Sequence, residues 1–114
     1  MAKKLSNYLR TYRRYTGLSQ GEVSFLLGCD ETEVARHELA RRRPPVESIL
    51  AYEMIFDAPA RDLFAGVREN VEETTRKRAE LLARKLRAKA PDPITTRKLE
   101  LLQRLASRPA LELA

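Results

Sequence analysis

Side chains that could act as nucleophiles, metal ligands or acid–base groups are scarce in this chain of 114 residues. Cys29 is the only cysteine and His37 the only histidine, which excludes a disulfide framework and most metal sites. Glu31 and Glu33 do not form a catalytic pair, because residues two apart on a helix point away from each other. The sequence also contains no serine–histidine–acid arrangement and no phosphate-binding glycine loop. We therefore expect no enzymatic activity, no metal and no cofactor.

The number and position of the basic side chains indicate what kind of partner the protein could bind. The chain has 22 Lys and Arg against 16 Asp and Glu, a net charge of +6, and most of this excess follows residue 66. The densest clusters are Arg41–Arg43, Arg76–Arg78 and Arg84–Lys89. No apolar run is long enough to span a membrane, and the charged start lacks the apolar core of a secretory signal. A small basic chain of this kind is expected to be cytoplasmic and to bind nucleic acid or protein.

Apolar residues recur at helical spacing, and no segment alternates with period two for long, so the chain is predicted to be all-α. Five helices are expected in residues 1–66. Gly17 and Gly28 end the first two, Ser19 and Glu22 predict a capping box at the start of the second, and Asp57 ends the fourth. The side chains expected to be buried or half-buried on these helices are Leu5, Leu9, Tyr8, Tyr12, Tyr15, Val23, Leu26, Leu27, Val34, Leu39, Val46, Ile49, Leu50, Tyr52, Ile55, Leu63 and Phe64.

Residues 67–114 are predicted to form a C-terminal helical extension with two helices, over about 68–90 and 94–107. Their residues are good helix formers, and Pro91-Asp92-Pro93 separates the two. Their apolar stripes comprise Val67, Val71, Thr75, Leu82 and Leu86, and then Leu101, Leu102 and Leu105. Two such helices cannot bury a core alone. They are therefore expected to pack on the first domain or on another subunit.

A continuous pattern runs through the first domain. It comprises Leu18-Ser19-Gln20, Glu22-Val23, Leu26-Leu27-Gly28, Val34, Arg36, Glu38, Arg41-Arg42, Pro44, Val46-Glu47-Ser48-Ile49-Leu50 and Asp62-Leu63-Phe64. Through these residues, the segment 5–64 resembles the Cro/lambda-repressor-like helix-turn-helix domain of the Xre family. The resemblance implies a five-helix DNA-binding domain followed here by the two C-terminal helices. The third helix, about 31–40, would be the recognition helix in the major groove of DNA.

The resemblance also implies roles for individual residues. Gln20 corresponds to a glutamine that holds a DNA phosphate, and Arg41 and Arg43 fall where the family contacts phosphates. The residues at base-reading positions are Glu31, Thr32 and Arg36, and Glu31 could accept a hydrogen bond from cytosine. Arg13 and Glu38 match a structural ion pair that joins the first helix to the recognition helix.

Several residues of the recognition segment have a simpler interpretation. Asp30 and Glu33 are expected to cap the third helix and complement its dipole. His37 is expected to be a partly exposed surface histidine, and Cys29 a buried filler in the turn. Ala40 replaces the glycine that is usual at its position, so the turn into Arg41 is expected to be more helical than in relatives.

The function that the sequence favours is that of a sequence-specific transcriptional regulator. It would bind double-stranded DNA at a palindromic operator as a homodimer, with the 67–107 helices as the candidates for self-association. The alternative is a protein-interaction module on the same fold, an antitoxin or adaptor that binds DNA weakly or not at all. The acidic turn at Asp30–Glu33 motivates this alternative, because carboxylates repel phosphates.

Overall fold

A computed structural model describes residues 5–107, and these form seven α-helices and no strand. The all-α prediction is therefore confirmed. The helices are α1 (Leu9–Thr16), α2 (Gln20–Leu27), α3 (Glu31–Glu38), α4 (Val46–Phe56), α5 (Ala60–Leu63), α6 (Ala65–Arg87) and α7 (Pro93–Ser107). The chain divides into two compact units between Arg68 and Glu69, within α6 and close to the sequence-based boundary after residue 66.

The ends of the early helices follow local chemistry. Gly17 and Gly28 adopt the left-handed conformation that ends α1 and α2, and Asp57 does the same after α4 with a φ of 49°. The hydroxyl of Ser19 accepts from the amide of Glu22, whose carboxylate accepts in return from the amide of Ser19. This confirms the predicted capping box.

The core of the first unit takes side chains from all five of its short helices. Its buried residues are Leu9, Val23, Val34, Tyr52, Phe56 and Leu63. Tyr52 stacks on Phe56, with 5.8 Å between ring centroids. Aromatic rings bury large areas, so this pair fills much of a small core.

The segment before α1 is not helical and lies against the end of the same unit. The amide of Tyr8 donates to the carbonyl of Leu63 at 2.7 Å. A Cβ on Gly66 would overlap the carbonyl oxygen of Leu5 and lie 2.8 Å from Cα of Ser6. Leu5 was expected within the first helix, and this is wrong: α1 begins at Leu9 because residues 5–8 are held against α5 and the start of α6.

Several side chains predicted to be buried are exposed: Leu5, Tyr15, Leu26, Leu39, Val46 and Leu50. Tyr15 is 93% exposed on the last turn of α1. Four of these residues lie on α1, α2 or α4, whereas Leu5 and Leu39 lie outside the helices, and each short helix turns only a narrow face to the core. Apolar residues beside that face therefore remain in contact with water.

The second unit has a small core of its own, so the expectation that its two helices cannot bury a core alone is wrong. Ala79, Ala83 and Leu86 of α6 are buried with Leu102 of α7, and Leu99 and Leu105 pack around them. The predicted stripe is wrong in part, because Val71 and Leu82 on α6 and Leu101 on α7 are exposed. The buried stripe passes through the two alanines, whose small side chains allow close helix approach.

The start of α7 is fixed by Asp92. Its carboxylate accepts from the amide of Thr95 at 2.8 Å and from the Thr95 hydroxyl at 2.8 Å. These hydrogen bonds lower the pKa of Asp92. With proline at the first helical position, this is a capped helix start that the sequence analysis treated only as a break.

Candidate nucleic-acid interface

The turn between α2 and α3 is short and well hydrogen-bonded. Gly28, with a φ of 75°, ends α2, and the amides of Gly28 and Cys29 both donate to the carbonyl of Ser24, at 2.8 and 3.0 Å. Only Cys29 and Asp30 separate Gly28 from α3. Two short helices joined in this way form a helix-turn-helix unit.

Glu38 at the end of α3 joins this pair of helices to α1. Nε of Arg13 lies 2.6 Å from Oε2 of Glu38, and Nη2 lies 3.2 Å from Oε1. The two side chains are only 13% and 4% exposed, and the hydrogen bond to Glu38 raises the pKa of Arg13. The third nitrogen of the guanidinium, Nη1, donates to the carbonyl of Leu18, before α2. The pair therefore fixes three helices relative to one another.

Gln20, the expected phosphate ligand, is the first residue of α2 and is tied to the same carboxylate. Its Nε2 donates to Oε1 of Glu38 at 3.0 Å. A side-chain amide has two N–H donors. One of them is used here, so the other remains able to donate to a ligand oxygen.

A groove of about 540 Å³ opens beside this network. Its walls come from α1, from the start of α2 and from one face of α3, and the lining residues are Arg10, Arg13, Ser19, Gln20, Glu31, Ala35, Glu38 and Leu39. Arg10 is exposed and makes no hydrogen bond or ion pair within residues 5–107. The sequence carries no signal for this position, because only the packing of α1 against α3 brings Arg10 to the side of α3.

The three residues expected to read bases are all exposed on α3. Glu31 and Thr32 lie in its first turn. The Glu31 carboxylate extends toward α2, with Oε2 only 3.6 Å from the position that a Cβ on Gly21 would occupy. Arg36 lies one turn further and its Nη1 is 2.9 Å from Oε1 of Glu33. All three side chains are thus exposed, but only Glu31 lines the groove, and Arg36 is already paired.

The side-chain caps that Asp30 and Glu33 were expected to form at the start of α3 are absent. Asp30 occupies the N-cap position without a side-chain hydrogen bond to the helix. Glu33 instead binds two arginines, Arg36 and Arg42. The expectation that both acids act as caps is therefore wrong, although their negative charge still lies at the positive end of the helix dipole.

The three arginines after α3 differ in their surroundings. Nη1 of Arg42 lies 3.0 Å from Oε1 of Glu33, whereas Arg41 and Arg43 are exposed and unpaired within residues 5–107. The turn that separates them from α3 contains Ala40 in the left-handed conformation, with a φ of 58°. The expectation of a more helical turn is therefore wrong.

His37 lies on the buried face of α3 and is 2% exposed, so the expectation of a surface histidine is wrong. Its Nδ1 is 2.9 Å from the hydroxyl of Tyr52, and its carbonyl accepts from the side-chain amide of Asn7. Burial lowers the pKa of His37 and raises that of Tyr52. The residue is therefore a neutral part of the core, held by partners that are distant in the sequence.

Metal ligands, the single thiol and the length of the apolar helices bear on other kinds of site. Within residues 5–107, no cluster of three or more His, Cys, Asp or Glu side chains could hold a metal ion. Cys29 is half-buried in the turn, and burial raises the pKa of its thiol. No helix among these residues is long and apolar enough to cross a membrane.

Comparison with known proteins agrees with this geometry. A family model described as a helix-turn-helix domain matches residues 4–63, which is more than half of the chain. No curated protein matches the chain, and no solved structure does.

Proposed function

Because the chain belongs to this helix-turn-helix domain family, we propose that it is a sequence-specific DNA-binding transcriptional regulator of the Xre, lambda-repressor-like type. It acts in the cytoplasm by binding rather than by catalysis. The observation that carries the proposal is the exposure of Glu31, Thr32 and Arg36 on α3. This helix follows α2 in a domain matched to a helix-turn-helix family. An α-helix of this kind fits the major groove of B-DNA.

In the proposed complex, α3 enters the major groove and reads bases through Glu31, Thr32 and Arg36. Arg36 is suited to guanine, whose O6 and N7 accept a bidentate guanidinium, and Glu31 to cytosine N4. Gln20 donates its remaining N–H to a phosphate, and Arg41 and Arg43 contact phosphates beyond the end of α3. Phosphate contacts set the register on DNA, whereas base contacts give specificity.

We further propose that the protein binds a palindromic operator as a homodimer. One short recognition helix contacts few bases, and each good base contact contributes only about 1–3 kcal/mol of discrimination. Two copies would place their recognition helices about one turn of DNA apart, roughly 34 Å. The second unit is the candidate for self-association, because Val71, Leu82 and Leu101 remain exposed on it.

A second candidate is a protein-interaction module such as an antitoxin or adaptor. It is favoured by the carboxylates of Asp30, Glu31 and Glu33, which lie where DNA would approach, and by the exposed apolar residues of the second unit. In this case the second unit would hold another protein, and binding to DNA would be weak.

Selection from a random pool of duplexes with the purified full chain tests the proposal. We expect an enriched palindrome, and binding to it that falls steeply as salt is raised. Arg36→Ala should weaken operator binding by about 1–3 kcal/mol and relax one base position. Gln20→Ala should weaken binding to all sequences similarly. If the folded protein enriches no sequence and binds no duplex at low salt, the interaction module is the better assignment.

A further inference from the structure

Glu33 is the only acidic side chain of α3 for which the structure gives two arginine partners. Its carboxylate accepts from Nη1 of Arg36 at 2.9 Å, and from Nη1 of Arg42 at 3.0 and 3.2 Å. Arg36 belongs to the recognition helix, and Arg42 belongs to the segment that follows it. One carboxylate therefore joins the proposed base-reading surface to the proposed phosphate-contacting run.

Because of the Glu33 carboxylate, the three arginines Arg41–Arg43 differ in their ion pairing. Arg42 is paired with Glu33, whereas the side chains of Arg41 and Arg43 have no hydrogen bond or ion pair within the part of the chain that the structure describes. The backbone contributes to this division. The amide of Arg41 donates to the carbonyl of Arg36 at 2.9 Å, and Ala40 is left-handed. Three consecutive arginines are thus not three equivalent phosphate ligands.

We propose that Glu33 is a positioning residue for DNA recognition, which orients Arg36 toward the bases and withholds Arg42 from the phosphate backbone. The inference rests on the proposed DNA-binding function. It assigns to Glu33 a role in specificity without contact between Glu33 and DNA. Asp30, at the N-cap of the same helix, has no such partners.

Glu33 would affect two quantities, the affinity for the specific site and the affinity for any duplex. Fixing the Arg36 guanidinium before DNA arrives reduces the ordering cost of a base contact, which favours the specific site. Keeping Arg42 paired removes one cation from the set that can neutralise phosphates, which weakens binding to any duplex. Glu33 therefore raises the ratio of specific to non-specific affinity through Arg36, and it lowers the salt dependence of all binding through Arg42.

Glu33→Gln in the full chain tests this proposal, with Asp30→Asn as the matched control that removes one negative charge from the same helix start. Dissociation constants are measured against the selected operator and a random-sequence duplex over a series of salt concentrations. We expect Glu33→Gln to tighten random-duplex binding about threefold or more. The slope of log affinity against log salt should steepen by about 0.9 for each Arg42 that gains a phosphate contact, which is about 1.8 for the two copies of the proposed homodimer. The preference for the operator over the random duplex should fall about threefold to tenfold.

Arg42→Gln in the Glu33→Gln background separates positioning from a general charge effect. The added salt dependence should disappear in this double variant, because Arg42 is the cation that Glu33→Gln releases. Thermal unfolding of every variant, followed by circular dichroism, establishes that the measurements are made on folded protein. Glu33 is partly exposed, so we expect each variant to fold.

The possible outcomes distinguish this inference from the function on which it rests. If the wild type binds the operator but Glu33→Gln behaves like Asp30→Asn in slope and preference, the positioning role is wrong and the DNA-binding function stands. If Glu33→Gln weakens both duplexes equally with an unchanged slope, the role of Glu33 is only structural. If the folded wild type binds no duplex, the proposed function is wrong and the inference is overturned with it.

Discussion

The hydroxyl of Tyr52 lies 2.9 Å from Nδ1 of His37 in the core of the first unit. Tyr52 is fully buried, and Nε2 of His37 is buried without a hydrogen-bond partner in the part of the chain described. A charged imidazolium would need a second acceptor at Nε2, and the structure provides none. The neutral ring is therefore the form that the fold stabilises, which agrees with the lowered pKa of His37.

This relationship predicts that the protein loses stability in mild acid. The folded pKa of His37 lies below its ordinary value of 6.5. The stabilising contribution of the neutral ring is therefore complete above about pH 6.5, the unfolded value, and is lost as the pH falls through the folded pKa. The free energy of unfolding should decrease between pH 7 and 5.5, by at most about 1.4 kcal/mol per pH unit. Urea unfolding of the wild type and of His37→Gln over this range provides the check, and an equal slope in both would contradict the assignment.

The Arg13–Glu38 pair predicts a large loss of stability when one partner is removed. Glu38→Ala would leave Arg13 largely buried without its counter-ion, and such changes cost about 3–5 kcal/mol. Glu73→Ala is the matched control, because Glu73 and Lys77 form an exposed pair on α6 that contributes at most about 0.5 kcal/mol. Chemical unfolding of both variants measures the difference. Similar small losses in the two variants would show that Glu38 does not join the helices as described.

The overlap at Gly66 predicts that even a methyl group is destabilising there. Gly66→Ala would force residues 5–6 away from α6, since the added Cβ meets backbone atoms of Leu5 and Ser6. Gly21→Ala is the control, because a Cβ at Gly21 meets only side-chain atoms at 3.6 Å or more. Alanine is preferred to glycine in a helix by about 0.5–1 kcal/mol, so this control should be neutral or stabilising. Gly66→Ala should therefore lower the melting temperature, and Gly21→Ala should leave it unchanged or raise it.

Arg10 is predicted to be an additional DNA contact. It lines the groove with Gln20 and Leu39 and makes no hydrogen bond or ion pair within residues 5–107. Arg10→Ala should weaken operator and random duplexes to a similar extent and reduce the salt slope by about 0.9 for each bound copy of the chain. Arg14→Ala removes the same charge from the same helix outside this groove, so it should have a smaller effect. Equal effects of the two changes would indicate a general charge effect instead of a contact.

If the protein is a homodimer as proposed, its mass in solution should depend on the exposed apolar residues of the second unit. If the exposed leucines of the second unit form the interface, Leu82→Asp and Leu101→Asp should convert a dimer to a monomer. Met54→Asp places the same charge at an exposed apolar position of the first unit, and it should leave the mass unchanged. Light scattering of the full chain at tens of micromolar provides the measurement. A monomeric wild type, or dissociation only by Met54→Asp, would contradict the proposed interface.

Much of the local structure could be predicted from the sequence because short-range chemistry determines it. Gly17, Gly28 and Asp57 end helices through left-handed backbone conformations, and Ser19 with Glu22 starts one through a capping box. The spacing of these signals also gave the order of helices and the helix-turn-helix pattern. All of the groups involved lie within a few residues of one another.

Only the tertiary structure decided which faces are buried and which side chains meet. His37 is neutral because its ring is buried in the core, where it contacts Tyr52, 15 residues away in the sequence. Arg10 reaches the groove because α1 packs beside α3, and Gly66 is needed because the chain start crosses it. Helical periodicity gives the apolar stripe of a helix, but the partner that covers the stripe depends on contacts between distant segments. For this reason Tyr15 and Leu39 share the pattern of core residues and yet remain exposed.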